Sequence, residues 1–178
     1  MPFVLIVGPS GAGKDTLIRL ARDTLAGDGR FVFPRRLVTR PPSADEDNIA
    51  LAEDAFAEGE ATGRFALSWR AHGLGYALPD EAGVLARDGR IVVSNVSRRI
   101  VEEARARFPG TTVVAVTAPP DILARRLAAR GRAEDGDLAA RLARTMSVAP
   151  DLTIDNSGPP EEGAARLIAF LKAGTDRP

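Results

Sequence analysis

The fold of this chain is decided near its amino end by Phe3-Val4-Leu5-Ile6-Val7 and the turn Gly8-Pro9-Ser10-Gly11-Ala12-Gly13-Lys14-Asp15-Thr16. The first run is wholly apolar, as a buried strand is, and apolar residues recur at helical spacing after the turn: Leu17, Ile18, Ala21 and Leu25. The turn has the spacing G-x-x-x-x-G-K, in which glycines let successive backbone N–H groups point at phosphate oxygens. A glycine-rich turn that binds nothing is the alternative, but the flanking strand and helix favour a phosphate-binding loop.

The loop is predicted to contact the phosphates of a nucleotide, from Gly8 through Pro9, Ser10, Gly11, Ala12, Gly13, Lys14 and Asp15 to Thr16. Lys14 supplies a positive charge for the β- and γ-phosphates. A hydroxyl that holds Mg²⁺ normally follows the lysine, but this chain has Asp15 there and Thr16 one place later. Asp15 either offers Mg²⁺ an acidic oxygen or caps the helix that begins at this point.

Composition bounds the possibilities further. The chain has 178 residues, 24 basic and 24 acidic residues and no cysteine. This length suits a single domain, 1–178, and the zero net charge gives no reason to expect a nucleic acid or a membrane as partner. Without cysteine there are no disulfides or thiolate metal sites, and we see neither a basic leader nor a membrane-length apolar run. We therefore expect a cytoplasmic protein with a small-molecule substrate; its oligomeric state stays open.

Strand-like and helix-like segments alternate along the chain. Apolar runs predict strands, and helical spacing predicts the segments between them. The strands are Phe3–Val7, Ile91–Ser94, Thr112–Thr117 and Leu152–Ile154; the helices are Thr16–Leu25, Arg98–Phe108, Asp121–Arg130, Leu138–Met146 and Pro160–Leu171. This alternation predicts an α/β class, a three-layer P-loop NTPase fold with a central parallel sheet. The nucleotide is expected at the carboxyl ends of the strands.

Two regions interrupt this rhythm and divide the domain into parts. The core is expected at residues 1–33, 81–124 and 146–173, with a substrate-binding insertion at about 34–80 and an arginine-rich lid at about 125–145. Arg125, Arg126 and Arg130 fall at helical spacing and either form a solvated face or, with Arg132, Arg141 and Arg144, belong to a flap that closes over the transferred phosphoryl group, whose charge guanidinium groups stabilise.

The residues of the insertion do not, on their own, indicate a single role. Arg40, held extended by the prolines after it, either grips a phosphate or makes a salt bridge. Trp69 and Phe65 are predicted to be core residues rather than ligand platforms. His72, the only histidine, either contacts substrate or lies in a surface turn.

The order of these motifs resembles a known family. GPSGAGKD, TRPP, WRAHGLGY, RGR, Arg141 and finally DLTIDN follow one another as in guanylate-kinase-type P-loop kinases, over nearly the whole length. Within that group the GKD loop and FALSWRAHGLGY are most similar to the ribose 1,5-bisphosphate phosphokinase family, whose members make 5-phosphoribosyl 1-diphosphate in phosphonate degradation. The resemblance implies an ATP-dependent kinase, with Mg²⁺, that phosphorylates ribose 1,5-bisphosphate.

The resemblance also implies roles for individual residues. Gly8 through Thr16 would bind the phosphates of ATP, and Asn156 would lie near its adenine. Arg40, His72 and Tyr76 would bind substrate, and Lys14 would be catalytic together with the lid arginines Arg130, Arg132 and Arg141. Where guanylate kinases carry carboxylates this chain has Ser68 and Asn95. Because a base edge needs a matched acceptor, this departure disfavours a purine monophosphate substrate.

The expected acceptor also fits the absence of an evident general base. The second pKa of a phosphate is about 6, so its oxygen is already deprotonated near neutral pH. A sugar hydroxyl would instead need a carboxylate to take its proton, for which Asp45, Asp47 and Asp80 remain open. The alternatives are guanylate kinase or another nucleoside monophosphate kinase, and a non-catalytic guanylate-kinase-like nucleotide-binding module.

Overall fold

The computed structural model describes residues 1–41, 47–130 and 149–175, and in this part of the chain two sheets organise the fold. The central sheet has five parallel strands in the order β2-β7-β1-β8-β9. They are β1 (Phe3–Val7), β2 (Phe31–Val32), β7 (Ile91–Asn95), β8 (Thr112–Thr117) and β9 (Leu152–Asp155). The predicted α/β class with a central parallel sheet is therefore confirmed.

Helices cover both faces of the central sheet. They are α1 (Lys14–Thr24), α3 (Asp80–Arg87), the 3₁₀ turn Arg98–Ile100 running into α4 (Val101–Arg107), α5 (Pro120–Arg130) and α6 (Pro160–Thr175). Because side chains alternate along a strand, the odd residues of β1 pack towards α3 and α4, and the even ones towards α1 and α6. All five β1 side chains are fully buried, which explains the unbroken apolar run.

A second, four-stranded sheet lies in the middle of the sequence, in the order β4-β3-β6-β5. Its strands are β3 (Arg36–Val38), β4 (Asn48–Ala50), β5 (Phe65–Ala71) and β6 (Leu74–Pro79), with α2 (Glu53–Ala61) between β4 and β5. Phe56 of α2 is fully buried and packs on Phe65 with ring centroids 5.5 Å apart. This sheet brings the middle of the chain beside the phosphate loop.

The element predictions differ from the structure mainly at their ends. Helix α1 begins at Lys14, two residues before the prediction, because Gly13 already serves as its N-cap. The segment Arg98–Phe108 opens with the 3₁₀ turn before becoming α-helical. The helix predicted at 138–146 lies outside the described residues. Among the residues that are described, no helix is long and apolar enough to cross a bilayer.

Candidate active site

The phosphate loop, residues 8–13, connects the buried strand β1 to the N-terminus of α1. Two of its glycines are required by geometry. Gly8 has φ +149°, and a Cβ there would overlap the carbonyl oxygen of Val116 on β8; Gly13 has φ +89°, and a Cβ there would overlap the side-chain amide of Asn156. The loop therefore lies directly against β8 and the end of β9. The backbone N–H groups at the start of α1 make a helix N-terminus of the kind that suits anions.

Lys14 lies back over this loop. Its Nζ donates to the carbonyl oxygens of Gly8 at 3.0 Å and Pro9 at 2.9 Å. These contacts hold the ammonium group over the loop, where it can exchange them for hydrogen bonds to a phosphate.

Two side chains that are distant in sequence support the loop from below. Asn156 is 3% exposed and donates from Nδ2 to the carbonyl of Ala12 at 2.8 Å, while its Oδ1 has no hydrogen-bond partner among the described residues. Arg126 of α5 donates to the carbonyl of Asn156 at 2.9 Å and to that of Gly11 at 3.5 Å. Asn156 thus holds the loop backbone; its expected contact with adenine stays a prediction.

Two aromatic side chains of the second sheet stack against each other. Trp69 and Tyr76 are opposite each other on β5 and β6, and their rings stack at 5.6 Å and 7°. Trp69 and Phe65 are each 7% exposed, which confirms that both are core residues. Tyr76 is half-buried at the rim of this core, and the guanidinium carbon of Arg36 lies 5.9 Å from its ring centroid.

Arg40 and His72 lie at the ends of second-sheet strands. Arg40 is half-buried just after β3, where Thr39 fixes the backbone: its N–H donates to the carbonyl of Gly75 at 3.0 Å, and its Oγ1 accepts from the N–H of Gly75 at 2.8 Å. His72 has φ +53° and, with Gly73, forms the exposed two-residue turn between β5 and β6. The structure thus gives His72 a turn conformation; its contact with substrate stays a prediction.

Arg36 is a further charged residue at this site, which no motif of the sequence indicated. It begins β3 and reaches the loop, with Nη2 3.6 Å from Oδ1 of Asp15. The same Oδ1 accepts a hydrogen bond of 2.6 Å from Nδ2 of Asn95 at the end of β7. The only local signal was a basic residue directly before the apolar pair Leu37-Val38.

A cavity of about 160 Å³ opens where these elements meet. Its lining carries four guanidinium groups, from Arg19, Arg22, Arg35 and Arg36, and two carboxylates, from Asp15 and Asp47. Asp47 contacts Arg22 at 2.8 Å and Arg35 at 2.6 Å. The arrangement is suited to binding an anionic group beside the phosphate loop.

The predicted lid falls largely outside the described residues. Outside them lie Arg132, Arg141 and the side chain of Arg130. Before the lid, Arg125 is exposed and pairs with Asp121 at 3.5 Å, as on a solvated helix face, whereas its neighbour Arg126 contacts the loop. The roles of the lid arginines stay predictions.

Known proteins are similar to this chain in sequence and in fold. The chain is 68% identical over 171 residues to ribose 1,5-bisphosphate phosphokinase PhnN of Methylobacterium radiotolerans, covering 96% of this chain and 97% of that protein. It is 49% identical over 176 residues to the protein of the same name from Rhodopseudomonas palustris, covering 99% and 91%. No family model matches the sequence.

A solved structure gives independent support for the fold. The crystal structure of guanylate kinase from Anaplasma phagocytophilum superposes with a TM-score of 0.71 at 18% identity, covering 98% of this chain and 86% of that one. At this identity the match speaks for the fold alone. Together with the relatives, it confirms the resemblance seen in the motifs: the chain belongs to the ribose 1,5-bisphosphate phosphokinase family, on a guanylate-kinase-like P-loop fold.

Proposed function

We propose that this protein transfers the γ-phosphoryl group of ATP to the 1-phosphate of ribose 1,5-bisphosphate, giving 5-phosphoribosyl 1-diphosphate and ADP. The observation that carries the proposal is the arginine-lined cavity next to the phosphate loop. Its four guanidinium groups outnumber its two carboxylates, each of which contacts an arginine, so the cavity favours an anionic acceptor. An acceptor that needs no general base fits such a cavity.

The transfer itself needs alignment and charge neutralisation. A deprotonated oxygen of the acceptor phosphate forms a bond to the γ-phosphorus while the bond from that phosphorus to the β–γ bridging oxygen breaks, and ADP leaves with the electron pair. Loop N–H groups and Lys14 hold the donor phosphates, and guanidinium groups spread the charge of the transferred group. Lid arginines Arg130, Arg132 and Arg141 are proposed to complete this arrangement.

Mg²⁺ fits the residues that follow Lys14, because the hydroxyl of Thr16 and the carboxylate of Asp15 are the hard oxygen donors that this ion prefers. When bound with ATP, the ion neutralises charge on the β- and γ-phosphates. Thr16 is the donor we propose to hold it. Asp15 is a second candidate, although its Oδ1 already accepts a hydrogen bond from Asn95.

On the acceptor side, Arg40 and Tyr76 are proposed to contact the 5-phosphate and the sugar. Arg40 follows β3, the strand that begins with Arg36, and Tyr76 on β6 stacks on Trp69 of β5. His72 is proposed as a further substrate contact. The variant His72→Asn tests it cleanly, because asparagine accepts the same positive φ.

An acceptor panel tests the proposed function. Purified protein is incubated with Mg-ATP and ribose 1,5-bisphosphate, GMP or ribose 5-phosphate, and ADP release is followed. We expect release with the bisphosphate and little with the others. Lys14→Ala abolishes it, whereas Lys172→Ala, at the only other lysine, serves as the control. ADP release with GMP and none with the bisphosphate would establish a nucleoside monophosphate kinase instead.

A further inference from the structure

Three side chains from three separate elements meet at the mouth of the phosphate loop. Asp15 is the second residue of α1, Asn95 the last residue of β7 and Arg36 the first residue of β3. Asp15 Oδ1 accepts a 2.6 Å hydrogen bond from Asn95 and lies 3.6 Å from the guanidinium of Arg36. This cluster joins the nucleotide-binding core to the second sheet.

Arg36 is held in a defined orientation inside the cleft. Its side chain is only 12% exposed, and its Nε donates to Oδ1 of Asn48 at 3.2 Å. The guanidinium carbon lies 5.9 Å from the ring centre of Tyr76, so the group rests against the aromatic stack of the second sheet. A guanidinium so far removed from water requires an anion nearby, and Asp15 supplies one.

We propose that Arg36 binds the acceptor phosphate that attacks ATP, and that Asp15 is the positioning residue that holds Arg36 beside the loop. This inference rests on the proposed function. Asp15 follows Lys14 directly, so its partner Arg36, at the start of β3, faces the phosphate loop from the second sheet. An arginine can there bind one phosphate in a bidentate manner.

The length of the ion pair suits this role. At 3.6 Å the two groups are held by charge, so a doubly charged phosphate can engage the guanidinium without breaking a short hydrogen bond to Asp15. The pairing also explains how a carboxylate is tolerated beside a loop that binds phosphates. Arg36 neutralises Asp15, which would otherwise repel both polyphosphate substrates.

Variants at Arg36 provide the first test, with turnover of ribose 1,5-bisphosphate as the assay. For Arg36→Gln we expect the acceptor KM to rise about 10- to 100-fold, the value of a charged hydrogen bond, while the KM for ATP stays near the wild-type value. Arg36→Lys keeps the charge but loses the planar fork, so it should give a smaller rise. Arg64→Gln is the control. It removes an exposed arginine just before β5 that forms a surface ion pair of 2.8 Å with Glu58, and it should change neither KM.

A double-mutant cycle isolates the part played by Asp15. If Asp15 acts through Arg36, Asp15→Asn raises the acceptor KM, and Asp15→Asn combined with Arg36→Gln is no worse than Arg36→Gln alone. If Asp15 instead ligates Mg²⁺, Asp15→Asn shifts the Mg²⁺ concentration needed for half-maximal rate, and its effect adds fully to that of Arg36→Gln. The second result would overturn the positioning role.

The outcomes separate this inference from the proposed function. Wild-type protein that does not turn over the bisphosphate would refute both. Normal wild-type turnover with an unchanged acceptor KM in folded Arg36→Gln, or in Arg36→Lys should the first variant fail to fold, would refute the role of Arg36 alone. Circular dichroism and the KM for ATP report folding in each variant.

Discussion

Replacing Gly8 by alanine should damage both the stability and the nucleotide site. Gly8 has φ +149°, a backbone conformation that residues with a side chain rarely adopt, and the new Cβ would overlap the carbonyl oxygen of Val116. That oxygen belongs to the backbone of β8, which is paired on both sides in the central sheet, so it has little room to move. The substitution therefore adds backbone strain to a steric conflict that no rotamer can relieve.

The size of the effect follows from these two contributions. Strain at such a backbone position costs about 1–3 kcal/mol, and forcing an extra methyl group into a packed site costs about 1–3 kcal/mol more. The free energy of unfolding should thus fall by about 2–6 kcal/mol. In a domain of this size each kcal/mol corresponds to about 2–4 °C, so Tm should fall by about 4–24 °C.

Equilibrium unfolding in urea, followed by circular dichroism, measures the change, and calorimetry measures ATP binding. Gly27→Ala is the matched control, because a Cβ at Gly27 meets nothing within 4 Å and its φ lies outside the left-handed region. The control should be neutral or slightly stabilising. The reasoning is refuted if Gly8→Ala unfolds at the same urea concentration as Gly27→Ala and still binds ATP like the wild type.

Three further outcomes follow from the packing and charges. Phe56→Ala empties a fully buried site under the second sheet and should lower the free energy of unfolding by about 3–5 kcal/mol. Val84→Ala, at a side chain that is 44% exposed, should have little effect. Equal urea midpoints for the two variants would contradict this packing. His72→Val places a β-branched residue at φ +53° and should cost about 1–2 kcal/mol in the same experiment, while His72→Asn should be tolerated; a neutral valine would show that the turn is not constrained. Hydrogen bonds from Arg30 lower the pKa of Asp28 from 3.8 to about 2. The stability that the ionised Asp28 contributes is therefore present above about pH 4 and is lost as pH falls towards 2. An NMR titration should show a higher pKa for Asp28 in Arg30→Gln, and an unchanged pKa would exclude Arg30 as the cause.

The sequence was informative where structure is decided locally. The strand β1, the loop glycines and Lys14 are consecutive, so their spacing predicted the loop and the central sheet. The second sheet was less readable, because β3 and β4 are only three residues long and show no period that could be counted.

Contacts across long sequence separations were not predictable from pattern. Arg126 supports the loop at Gly11 from 115 residues away, and the bond from Asn95 to Asp15 spans 80 residues. An arginine in a helix beside other arginines is usually solvated, and nothing in its sequence neighbourhood distinguishes Arg126 from the exposed Arg125. Only the packing of α5 against the loop separates them.

The central claim is that the acceptor atom is a phosphate oxygen, so that the product carries a new diphosphate. Phosphorus-31 NMR of a reaction with Mg-ATP and ribose 1,5-bisphosphate tests this directly. The account predicts that the 1-phosphate singlet is replaced by the two coupled resonances of a sugar diphosphate as ADP accumulates. A new phosphomonoester singlet, which would report phosphorylation of a hydroxyl, or ADP formation without any change in the sugar signals, would contradict it.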